Sequence, residues 1–135
     1  MTANDNVKLI QSVYEAFGRG DVAAILEVLT DDVDWASEAS DASGAPWWGV
    51  RHGHEAVARF FDEFGSTMEV EEFTPLSFAA SDTDVLTVVR MRARTRSTGK
   101  ALVMNLHHQF TFRGDKIAYY RGTEDTEQTA AVLRS

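Results

Sequence analysis

His108 sits where an ionisable side chain is least expected. The run Lys100 to Phe112 alternates as a strand does, with Leu102, Met104, Leu106, His108, Phe110 and Phe112 on one face and Val103, Asn105, His107, Gln109 and Thr111 on the other. A histidine on an otherwise apolar face must find a hydrogen-bond partner, line a cavity, or carry the cost of an unsatisfied buried polar group. It is therefore either a structural residue tied to backbone or a hydroxyl, or the polar feature of a hydrophobic small-molecule pocket. Desolvation in such a pocket disfavours the imidazolium form, and a facing carboxylate acts in the opposite sense. Acid-base chemistry in such a pocket would need a base and a hydrogen-bond donor held in a dry cavity. The carboxylates available are Glu124, Glu38 and Asp34, and the hydroxyl donors are Tyr120 and Tyr14.

Other clusters carry less. Arg90, Arg92, Arg94 and Arg96 recur at period two and share one strand face, where Glu69, Glu71 and Glu72 of the preceding extended segment can pair with them. His52 and His54 precede a helix with Glu55 nearby, but no further ligand stands at a recognisable spacing, and His107 and His108 point to opposite faces. Neither a metal nor a cofactor is expected. With no cysteine in the chain, disulfides, thiolate metal sites and cysteine nucleophiles are excluded.

The elements that position these residues fall into two groups. Asn6 to Arg19 and Asp21 to Leu29 show helical periodicity on either side of Gly20, with Asp21 as the second N-cap. Thr30 to Asp32 reads as a turn and Val33 to Glu38 as a short strand. Ala39 to Gly53 has loop composition but contains Trp47 and Trp48, which must cover something apolar. His54 to Phe64 is an amphipathic helix ending at Gly65. Four extended segments follow, Met68 to Ala80, Val85 to Ser97, Lys100 to Arg113 and Lys116 to Thr123. A last helix runs from Thr126 to Leu133, capped by Asp125 with Gln128 in the reciprocal capping-box position. Helices followed by a strand meander imply an α+β domain spanning 1–135, its curved antiparallel sheet wrapped around the N-terminal helices. The cone between sheet and helices would be walled by Tyr14, Trp35, Trp48, Phe60, Phe61, Met91, Leu106, Phe110 and Tyr120. The outer sheet face, free of helices, is expected to seek a second copy and form a homodimer.

Charge and hydropathy narrow the partners. A formal net charge of -8 argues against a nucleic-acid partner, no apolar run is long enough to span a bilayer, and the polar start of the chain lacks signal-peptide character, so a cytoplasmic protein is expected.

The chain resembles the SnoaL-like branch of the nuclear transport factor 2 (NTF2) superfamily, which also contains ketosteroid isomerases, limonene epoxide hydrolases and polyketide cyclases. The similar stretches are Tyr14-Glu15-Ala16-Phe17 leading to Gly20-Asp21, Leu29 to Val33, Trp48-Gly49 with Gly53-His54-Glu55-Ala56-Val57, and Gly114 to Ile117 leading to Glu124-Asp125-Thr126. The resemblance implies a cone-shaped NTF2-like (cystatin-like) α+β fold, dimeric, binding a small hydrophobic, carbonyl-bearing or polycyclic molecule for isomerisation, cyclisation or dehydration. The alternative is a noncatalytic dimeric ligand-binding or structural domain. Aligned on the family, the isomerase tyrosine falls on Val13, with Tyr14 turned about 100° around the helix, and the isomerase base falls on Ser37, beside Glu38. The second oxyanion donor falls on His108. The acid that follows an arginine on the last strand of the cyclases is replaced here by Gly122, after Arg121.

Overall fold

The computed structural model describes residues 1–134. Helix α1 (Ala3–Arg19) opens with a capping box between Thr2 and Asp5 and closes at Gly20, whose φ of 71° is left-handed. Helix α2 (Val22–Glu27), capped by Asp21, leads into strand β1 (Leu29–Ser37). A short 3-10 turn at Ala42–Gly44 precedes β2 (Gly49–His52) and helix α3 (Gly53–Thr67). The meander follows as β3 (Met68–Ala80), β4 (Asp84–Thr95), β5 (Ala101–Arg113) and β6 (Lys116–Thr123), and α4 (Thr126–Leu133) ends the chain.

The strands form one open sheet in the order β2-β1-β6-β5-β4-β3. It is mixed rather than antiparallel, because β1 runs parallel to β6. Only hairpins force antiparallel pairing. Between β1 and β6 the chain crosses to the far edge through α3 and returns through three hairpins, which brings β6 back beside β1 in the same direction. Register shifts in β3, at Val70/Glu72 and Pro75/Ser77, bend that long strand. The helices α1 and α3 lie across one face of the sheet, and the core between them is built on Ile10, Val33, Val57, Phe110 and Ile117.

Local expectations are corrected at four places. Thr30 to Asp32 is strand rather than turn: it lies within β1 in an irregular stretch between Leu29, paired with Ile117, and Asp34, paired with Tyr119, and Asp32 points out to Arg113. Within the expected loop, β2 pairs with β1 over Asp34 to Ser37. Helix α3 runs through Gly65 to Thr67, because an exposed glycine costs a helix only about 1 kcal/mol and the next buried anchor is Met68. Gln128 is not the reciprocal partner in a capping box: its Oε1 accepts from the Val103 backbone N–H at 2.9 Å, tying α4 to the edge of β5.

Candidate functional site

A row of side chains crosses the inner face of the sheet at one level. Thr87 on β4 is opposite His108 on β5, His108 is opposite Gly122 on β6, and Gly122 is opposite Ser37 on β1. The next row is Val85, Phe110, Tyr120 and Trp35, and it is apolar apart from one hydroxyl and one indole N–H. Tyr120 stacks on Trp35, centroids 4.0 Å apart. Helix α1 closes over the row with Tyr14. The Tyr14 hydroxyl lies 2.8 Å from His108 Nδ1 and 2.6 Å from Thr87 Oγ1.

Tyr14, Trp35, Ser37, His108, Phe110, Tyr120 and Gly122 border a cavity in which the centre of a water molecule can range over about 80 Å³. A single water needs roughly 10–15 Å³ on that measure, so the space suits several waters or one planar ring. The walls are aromatic and aliphatic, among them Phe17, Trp35, Trp47, Phe60, Phe61, Phe73, Met91, Leu106 and Phe110. The polar groups are His108, Tyr14, Tyr120, Ser37, Thr123 and Glu124.

Burial fixes the charge state of most of them. His108 is 8% exposed, and desolvation, helped by the nearby His107, lowers its pKa from 6.5 to about 3. Its ring is therefore neutral at pH 7. Burial also lifts the Tyr14 hydroxyl well above the usual phenol range, against the pull of its Thr87 bond, and lifts Tyr120 likewise, with Tyr14 and Glu124 adding to the effect. The Tyr14 hydroxyl sits between two partners and owns one proton. When it donates to His108 Nδ1, the histidine proton is on Nε2; when Nδ1–H donates to it, Nε2 is a bare acceptor. Nε2 has no hydrogen-bond partner among the described residues.

Glu124 is held on both oxygens. Its Oε1 accepts from the indole N–H groups of Trp47 at 3.3 Å and Trp48 at 3.0 Å, and its Oε2 accepts from the Thr129 hydroxyl. A carboxylate has about four acceptor positions, so about one remains. These bonds also fasten the loop before β2 to the end of β6, which explains two tryptophans in a segment of turn composition.

The two other candidate carboxylates lie elsewhere. Asp34 alternates with Trp35 and faces the outer side of β1, where Arg121 Nη1 approaches its Oδ1 at 2.9 Å in an ion pair outside hydrogen-bond geometry, and His52 stands 3.7 Å away. Glu38 lies just past β1, exposed, beside a surface cleft with Arg121. Strand alternation puts Asp34 across the sheet from His108, whereas the cleft beside Glu38 shares Ser37, Thr123 and Glu124 with the cavity, of which Glu38 itself is not a wall. Trp47, not Trp48, lines the cavity, because the Trp48 ring packs against Gly44. The other expected wall residues, Tyr14, Trp35, Phe60, Phe61, Met91, Leu106, Phe110 and Tyr120, border it. Val13 and Tyr14 both border it as well, since a long phenol reaches the row even when turned from the centre line. Thr87 is a further polar residue of the inner face, and its signal in the sequence is that Val85, Thr87 and Val89 alternate inward as Leu106, His108 and Phe110 do. His54 Nε2 lies 3.0 Å from the Leu29 carbonyl.

A SnoaL-like domain model matches residues 10–120. The chain belongs to the SnoaL-like family. No curated protein matches it by sequence. Among solved structures, this SnoaL-like chain is similar to an NTF2-like protein from Burkholderia xenovorans LB400, at 26% identity and TM-score 0.88, with 99% of each chain covered. An NTF2-like protein of unknown function from Burkholderia pseudomallei K96243 superposes with TM-score 0.89 at 22% identity, over 97% of this chain and 98% of that one. TerC co-crystallised with polyporic acid superposes with TM-score 0.83 at 20% identity, over 97% and 99%. At these identities the last two share the fold alone. The fold expected from the resemblance is therefore the fold observed.

Proposed function

We propose that this SnoaL-like domain binds a neutral, planar, single-ring carbonyl compound and promotes proton transfer next to the carbonyl. The observation that carries the reading is His108: buried, neutral, anchored through Nδ1 to Tyr14 and thence to Thr87, with Nε2 free at an apolar cavity. A ring with so low a pKa is a weak base, and its better use is as a neutral donor that polarises a carbonyl oxygen. The proton leaving the adjacent carbon would go to the remaining acceptor position of Glu124, the one carboxylate among the cavity residues. With Thr87 donating to Tyr14 and Tyr14 donating to His108 Nδ1, the ring would carry its proton on Nε2, the tautomer this reading requires. No lysine or arginine borders the cavity, which speaks against a carboxylate or phosphate ligand. Its size favours one ring over a polycyclic molecule.

The test is deuterium exchange at the carbon next to the carbonyl of cyclohex-2-en-1-one in D2O, followed by NMR. Exchange faster than buffer, and lost in His108→Leu, is the expected result; exchange at the buffer rate removes the catalytic part of the proposal.

A second reading, ligand binding without turnover, draws on the three donors that already engage Glu124. Saturable binding of the same ketone without exchange would select it. We further propose that a second copy packs on the outer sheet face, where Leu86 and Val103 are exposed at 52% and 40%. Sedimentation as a monomer at micromolar concentration would refute that. No helix among the described residues is long and apolar enough to cross a membrane.

A further inference from the structure

Gly122 is a glycine for reasons of space. Its backbone is not in the left-handed region, so conformation does not demand the residue. A Cβ at this position would overlap the Tyr120 hydroxyl oxygen, lie 3.0 Å from Tyr120 Cζ, and come within 3.3 Å of His108 Cδ2. One point in space thus adjoins both the Tyr120 hydroxyl and the His108 ring edge that carries Nε2. The ring centroids of the two residues are 5.3 Å apart. Tyr120 is 5% exposed and lines the cavity, yet its hydroxyl has no hydrogen-bond partner among the described residues. Stacking on Trp35 fixes the direction of the phenol. The oxygen is not among the fully enclosed unpartnered atoms, so it opens on the cavity, where water or a ligand can supply its partner.

We infer that the Tyr120 hydroxyl, in the space cleared by Gly122, is the second donor of the site and converges with His108 on one acceptor oxygen of the bound ring compound. The inference rests on the pocket reading proposed above and adds its selectivity: a ring bearing an acceptor oxygen is preferred over the same ring without one. The phenol takes the space that a side chain at position 122 would fill, so the donor comes from the neighbouring position on the strand.

The experiment is isothermal titration with two probes of equal ring size, cyclohex-2-en-1-one and cyclohexene, against the wild-type chain, Tyr120→Phe and Gly122→Ala. Tyr120→Phe keeps the stacked ring and removes the hydroxyl alone. The expected result is that the ketone binds wild type more tightly than the hydrocarbon, and that the preference falls by about three- to tenfold in Tyr120→Phe, the weight of one neutral hydrogen bond, with cyclohexene affinity unchanged. Gly122→Ala, which pushes the hydroxyl aside, should lower the preference similarly. A ketone preference that survives Tyr120→Phe and disappears in His108→Leu would overturn the inference while leaving the pocket reading intact; equal binding of the two probes by wild type would overturn the inference together with the carbonyl contact of His108. Failure of both probes to bind wild type would overturn the pocket reading, and the inference with it.

Discussion

The two faces of the sheet use polar groups in opposite ways. On the outer face of β3 and β4, Arg90, Arg92, Arg94 and Arg96 interleave with Glu69, Glu71 and Glu72 at 3.2 to 3.9 Å, each side chain about half exposed or less deeply buried than the core. These charges satisfy one another and the water around them. On the inner face, the row Thr87, His108, Gly122 and Ser37 offers few polar atoms, and Tyr120 adds one more. Several of those atoms have no protein partner. A dense charged stripe is therefore the quieter region, and the sparse neutral row is the one with unspent hydrogen-bonding capacity. Water screens and competes outside, whereas inside a single missing partner costs on the order of 1–3 kcal/mol.

Substitutions on the two faces should separate this contrast by size of effect. Phe110→Ala removes a side chain 1% exposed beside His108 and Tyr120, and should cost about 3–5 kcal/mol of unfolding free energy in urea. A loss below about 1 kcal/mol would mean that the inner face is not packed as described.

Next in size is a pH effect on stability from His108. Its folded pKa of about 3 lies below the unfolded value of 6.5, so between them the unfolded chain binds a proton that the folded chain does not. Stability is then full above about 6.5 and falls as pH drops toward 3. From pH 7 to pH 5 the loss attributable to this group is about 2 kcal/mol. Urea titrations at the two pH values should show that difference in wild type and a smaller one in His108→Leu; equal slopes would break the claim.

Tyr14→Phe removes the hydroxyl shared by His108 and Thr87 while leaving the ring in place, and should cost about 1 kcal/mol or somewhat more. The 15N shifts of the His108 ring should move with it, since the tautomer loses its anchor; unmoved shifts would show that the hydroxyl does not select it. On the outer face, Arg92→Ala should change stability by less than about 1 kcal/mol, and less again in high salt. A larger cost there would erase the contrast between the faces.

Much of this arrangement was legible in the residues themselves. Period-two alternation put His108, Phe110 and Leu106 on one face, and the Gly20-Asp21 joint separated the first two helices. The four extended segments from Met68 to Thr123 are the four strands of the meander, to within two residues at their ends. The arginine and glutamate stripes pair across β3 and β4 as their spacing foretold. Less legible were contacts joining segments distant in sequence. Thr30 to Asp32 carries turn-like residues but belongs to β1, in an irregular stretch between residues that pair with β6, and β2 hides in a loop because four residues have too little pattern to announce themselves.

The sequence by itself determined which faces are apolar, because side-chain direction follows from backbone periodicity and hydrophobic burial acts on every apolar residue alike. It could also say that Gly122 lacks a side chain. Only the tertiary structure decided what that absence does, namely that the Tyr120 hydroxyl takes the vacated space beside His108. It likewise decided that Glu124 is engaged by Trp47 and Trp48, that Tyr14 reaches Thr87 and His108, and that Asp34 pairs with Arg121 and Glu38 borders an outer cleft, neither being a wall of the cavity. Hydrogen bonds of this kind depend on distances within a few tenths of an ångström between residues tens of positions apart. Local pattern carries no such information, and packing of the helices against the sheet sets it.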